Sequence, residues 1–136
     1  MIQDTFDMQS SIVDELKKDS SFLLALKVQD KEDKELLSKK INLQRLNMEL
    51  FETKNPPLVS IYFSDASESN NYLLNYAVLK IETYTFNRLQ AKPLVKAIKN
   101  IMREKFKLRI VAEGEDFCDI KNVYKYVIEY LPMTWS

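Results

Sequence analysis

The hydrophobic period of this chain changes at Asn55-Pro56-Pro57, and that change limits the fold more than any other feature. Before it, Ile12, Val13 and Leu16 are followed by Phe22, Leu23 and Leu26, the spacing of helices that bury one stripe. After it, apolar residues alternate, as in strands with one face on a core. The prolines enforce the switch: the residue before a proline is pushed to extended geometry, and a proline cannot continue a helix. A chain of 136 residues arranged this way reads as a single α+β domain, residues 1–54 forming a helical and charged segment and residues 55–136 the α+β core.

Within that frame, Ser10 or Ser11 can cap a first helix, and Asp19-Ser20-Ser21 either breaks the pattern or starts a second one. Asp30 to Lys40 carries only Leu36 and Leu37 as apolar residues and reads as a solvated helix or an extended linker, while Ile41 to Phe51 fits strand or helix. Leu58 to Phe63 is a strand, Ser64 to Asn71 a loop, and Tyr76 to Phe86 a second strand. The alternation of this second strand sends Ala77, Leu79, Ile81 and Thr83 to the core and Val78, Lys80, Glu82 and Tyr84 away from it. Asn87 and Gln90 are capping-box residue types, and Leu94, Ala97, Ile98, Ile101 and Met102 form a helical stripe ending near Phe106. Pro93 leaves two starts open for this helix, Arg88 and Lys92. Leu108 to Ala112 then gives a strand, Glu113-Gly114-Glu115-Asp116 a turn, and Val123 to Leu131 a last strand. The expected architecture is a mostly antiparallel sheet of about four strands packed on one main helix, with helices at the N-terminus.

Absences narrow the chemistry. The chain has no His, which removes Ser-His-Asp and Cys-His catalysis and His-ligated metal sites. Gly114 is the only glycine, so neither a phosphate-cradling loop nor a dinucleotide fingerprint can be written. Cys118 is the only cysteine, cannot form an intrachain disulfide, and fits a small buried hydrophobe. The N-terminus lacks the basic and apolar regions of a secretory signal, which points to the cytosol, and no run approaches the roughly 18 apolar residues of a spanning helix. Glu115 and Asp116 are adjacent carboxylates in an expected exposed turn, without the burial that separates an acid from a base. The expectation is therefore a non-enzymatic protein with no catalytic residues, cofactor, metal or membrane association.

Lys plus Arg and Asp plus Glu number 20 each, so any charged partner must meet a local patch. Between Arg88 and Arg109 there are eight basic residues and one acid, Glu104, with Arg88, Lys92, Lys96, Lys99 and Arg103 forming a positive ridge on one helical face. Glu113, Glu115, Asp116 and Asp119 form an acidic counterpart. Three readings stay open for the pair: solvated surface, nucleic-acid contact by the ridge, or contact between copies, the ridge of one subunit meeting the acidic segment of the next. Tyr124, Tyr126 and Tyr130 share one face of the last strand with Ile128, suited to sheet packing, a subunit contact or base stacking.

The run Leu79-Lys80-Ile81-Glu82-Thr83-Tyr84-Thr85, then Asn87-Arg88 and Ala97-Ile98-Lys99-Asn100-Ile101, resembles the central strand and helix of tail terminator proteins of tailed bacteriophages. Asp119 with Tyr124-Lys125-Tyr126 and Ile128-Glu129-Tyr130 resembles their final strand, and a leading helix pair also fits. The likeness covers roughly residues 55 to 133; the charged segment Asp30 to Lys54 has no counterpart in it. It implies a virion structural protein of the tail and neck, assembled in the host cytoplasm as a homo-oligomeric, hexameric ring that caps the tail tube protein, stops its polymerisation and offers a surface to head-tail connector proteins. Genome DNA would pass through the ring lumen without specific binding. The alternatives are another connector or head completion protein and, from a different class, a small nucleic-acid-binding regulator.

Overall fold

The structure is a computed structural model that describes residues 5–28, 34–43, 56–64, 78–118, 120 and 122–131. In chain order the helices α1 (Thr5–Lys18), α2 (Ser20–Ala25) and α3 (Lys34–Lys40) precede strands β1 (Ile41–Asn42), β2 (Leu58–Ser64) and β3 (Val78–Thr85). Helix α4 (Arg88–Ile101) follows and widens into a π-helical turn, Met102–Phe106, before β4 (Arg109–Asp116) and β5 (Tyr124–Leu131). The five strands form one sheet in the order β1-β2-β3-β5-β4, with β1 parallel to β2 and every other pair antiparallel. The α+β architecture is as the sequence implies, with one strand more. The extra strand is β1, two residues whose alternation is too short to register in a sequence, anchored by the buried Ile41 beside Val59.

Helix α1 starts at Thr5, so Ser10 and Ser11 lie inside it and do not cap it. Met8 extends the apolar stripe of Ile12, Val13 and Leu16 toward the N-terminus, and the buried Gln9 donates from Nε2 to the carbonyls of Leu43 at 3.0 Å and Ile61 at 2.9 Å. A helix that begins early is thereby tied to the sheet. Asp19 caps α2, its carboxylate accepting from the Phe22 amide at 2.8 Å. The other end of α2 closes in a Schellman arrangement: the amides of Lys27 and Val28 donate to the Leu24 and Leu23 carbonyls, with Lys27 at φ 65° in the left-handed region. The lysine stands where glycine usually does.

The core lies between α4 and the sheet. Leu94, Ala97, Ile98 and Ile101 pack over Leu79, Ile81, Ile128 and Tyr130, with the apolar stripes of α1 and α2 closing the same cluster. The expected core face of β3 is correct for Leu79, Ile81 and Thr83. Glu82 and Tyr84, expected to face away, are also buried, because a second cluster of Leu58 and Tyr84 with Ile120 and Val123 covers that end of the opposite face. The predicted loop at 64–71 lies, after Ser64, outside the described residues, as does most of Ile41 to Phe51.

The acidic turn is a strand. Glu113, Gly114, Glu115 and Asp116 continue β4 and pair with Ile128, Val127, Tyr126 and Lys125. A bulge between Ile110 and Ala112 shifts the phase of β4, so Ile110, opposite Tyr130, and Glu113, opposite Ile128, face the helix side although they are three residues apart. Alternation read from sequence cannot carry through such a shift.

Candidate functional site

The start of α4 fixes where its side chains point. The Asn87 side chain accepts from the Gln90 amide at 2.8 Å, and Gln90 Oε1 in turn accepts from the Phe86 amide at 2.8 Å, so Arg88 is the first helical residue. Pro93 then falls in the second turn, where its missing N–H leaves the carbonyl of Leu89 unbonded within the helix; Leu89 is 82% exposed and water can serve that carbonyl. At 100° per residue, positions 88, 92, 96, 99 and 103 fall within an arc of roughly 80° beside the buried stripe.

That arc forms one wall of a groove of about 450 Å³. Arg88, Lys92, Lys96, Lys99 and Arg103 line the wall, and Tyr124 and Tyr126 of β5 supply the floor. The two features that sequence separates, a basic ridge and a tyrosine row, thus belong to one site. Glu113 stands on the far side. Lys99 Nζ lies 2.9 Å from Glu113 Oε1 and 3.0 Å from Oε2, and the Tyr126 hydroxyl donates to Oε1 at 2.7 Å. The Lys99 bond, and after it the Tyr126 bond, hold the Glu113 carboxyl below the usual carboxylate range. Burial and the same carboxylate push the Tyr126 phenol up to about 12, and burial with Glu115 nearby raises that of Tyr124. Both phenols are neutral at physiological pH.

The remaining charged residues are used unevenly. Asp116 pairs with Lys125 at 3.1 Å and is held below the carboxylate range, first by that lysine and then by the Phe117 amide. Arg103 donates to Asn100 at 3.2 Å and lies 3.9 Å from Glu104. Arg88, Lys92 and Lys96 make no ion pair among the described residues. The pairing of ridge and acidic segment therefore occurs within one chain at Lys99 and Glu113, leaving three cations unmatched on the wall. Asp119 lies outside the described residues.

A second constellation, on the opposite face of the sheet, was not visible in the sequence. Glu82, 3% exposed, accepts from the Tyr84 hydroxyl at 2.7 Å and the Tyr62 hydroxyl at 2.9 Å, with Lys125 Nζ at 3.5 Å. Burial, and then the Glu82 carboxylate, push the Tyr84 phenol far above its ordinary range. Each carboxylate oxygen is engaged, so the cluster welds β2, β3 and β5 together and leaves no acid or base free for chemistry. Cys118 is half-buried, more open than expected for a packed core cysteine.

Among the described residues no group of three or more His, Cys, Asp or Glu side chains is placed to hold a metal ion, and no helix is long and apolar enough to cross a membrane. A scan against models of known protein families matches none, and a search of curated proteins finds no match.

Proposed function

We propose that this protein is a structural component of a tailed-phage virion, a tail terminator that closes the growing tail tube as a ring and offers the head connector a new surface. What supports the reading is that, apart from the inserted α3 and β1, the elements run as a helix pair, two antiparallel strands, one long helix and two more antiparallel strands, in line with the pattern of the resemblance. The observation that carries it is the distribution of exposed apolar side chains. Strands β3 and β4 both run antiparallel to β5 and end on the same side of the molecule. Phe86 at 52%, Leu89 at 82% and Phe117 at 79% exposure follow those two ends, so three large apolar side chains stand in water at one pole. Exposed apolar side chains that share one end of the sheet are candidates for a surface that a partner covers.

A cyclic ring needs two different surfaces on each subunit, one received by the other. The apolar pole is one candidate. The outer edge of β4, whose backbone among the described residues pairs only with β5, is the second, and its charged residues restrict which partner can approach. No bond is made or broken in this role. Electron microscopy of tail tubes polymerised with the purified protein tests it: a ring of density should close one end of each tube. Tubes whose ends stay open at saturating protein would reject the assignment.

A further inference from the structure

The basic wall and the tyrosine floor meet in a groove whose chemistry is that of a polyanion site with a stacking surface. We propose that this groove binds single-stranded nucleic acid, its phosphates running along Arg88, Lys92, Lys96 and Arg103 and a base resting on the ring of Tyr124 or Tyr126. The spacing suits this ligand. Residues four apart on a helix are separated by roughly 6 Å along the axis, comparable with successive phosphates of an extended strand. The charge suits it as well. The chain is neutral as a whole, yet only Lys99 on this wall is matched across the groove by a carboxylate, and Arg88, Lys92 and Lys96 make no ion pair among the described residues. Glu113 and Glu115 on the far side repel phosphate and confine the strand to the helix side.

The floor is pre-set for stacking. Tyr126 is held by its bond to Glu113, so its ring is fixed before a ligand arrives and little further side-chain freedom is lost on binding. Beyond Lys99 and Arg103 a recess of about 240 Å³ continues the groove, lined also by Leu108, Ile110 and Tyr130. Tyr130 is 1% exposed and its hydroxyl has no hydrogen-bond partner among the described residues. A base-paired duplex cannot offer its bases to the floor, whereas a single strand offers phosphate and base together. An acidic peptide would satisfy the wall and leave the rings unused.

Fluorescence anisotropy of labelled oligothymidylate with the full chain tests the proposal, and ring formation plays no part in it. Binding should saturate and weaken with salt, log K falling against log salt with a slope of about −2 to −3 for three or four phosphate contacts. Lys92→Glu with Lys96→Glu should weaken binding at least tenfold and flatten the slope. Tyr124→Ala with Tyr126→Ala should weaken it roughly tenfold or more while leaving the slope unchanged, and restoring the rings with Tyr124→Phe and Tyr126→Phe should recover the affinity. Circular dichroism melts of each variant confirm that the fold persists. Absence of binding at low salt, binding indifferent to the lysine reversals, or equal affinity for duplex DNA or polyglutamate of the same charge would each overturn the proposal. A chain that forms rings and ignores oligothymidylate fails here alone.

Discussion

Two lysines in this protein stand in backbone conformations that glycine usually takes. Lys27 and Lys107 occupy left-handed backbone at the ends of α2 and of the π-helical turn, with φ of 65° and 54°. A side chain in that conformation costs about 1 kcal/mol, partly offset in a glycine variant by the freer unfolded chain. Lys27→Gly and Lys107→Gly should therefore each raise stability by a few tenths to about 1 kcal/mol, read as a higher denaturant midpoint at unchanged slope. Glu113 allows a test by pH. Its carboxyl titrates below the range of the unfolded chain, so its bonds to Lys99 and Tyr126 stabilise the fold fully above about pH 5 and lose that contribution as pH falls through the depressed value. Wild type should exceed Glu113→Gln by up to about 1 kcal/mol at pH 7, the scale of a partly exposed ion pair, and the two should converge in acid. Equal stabilities at neutral pH would mean that the contact is not populated in solution.

At the scale of elements, what the sequence disclosed follows from how far each period runs. The α4 stripe from Leu94 to Met102 repeats over more than two turns and the core face of β3 over several alternations, so both are legible; Leu79, Ile81, Ile98 and Ile101 pack as their spacing implies. Ile98→Ala or Leu79→Ala should cost roughly 2 to 5 kcal/mol, seen as a lower denaturation midpoint. Burial of Glu82 was not legible, because it depends on hydroxyls and an amine that arrive from three strands. Nor was strand structure at Glu113 to Asp116, where cross-strand partners on β5 outweigh the weak strand preference of Glu, Gly and Asp. The site was half visible. The cations could be named from their spacing and the tyrosines from theirs, but only the β3-β5-β4 order places the two sets side by side.

For the whole molecule, neutrality conceals polarity. Acidic and basic residues cancel in the total, yet α4 presents to one groove three cations with no ion pair among the described residues, and Phe86, Leu89 and Phe117 stand exposed at one pole. In the proposed ring the apolar pole would be the source of affinity, since charges at a rim contribute chiefly to register and rate. Double substitution Leu89→Asp with Phe117→Asp places charge on two exposed positions, so the melt should move little while assembly is lost. The most direct measurement is the length distribution of tail tubes, by electron microscopy, as wild-type protein is added during polymerisation. Tubes should shorten and end in rings as its concentration rises, and the double variant should leave them long and open. Tube lengths unchanged by the wild-type protein would contradict the assignment.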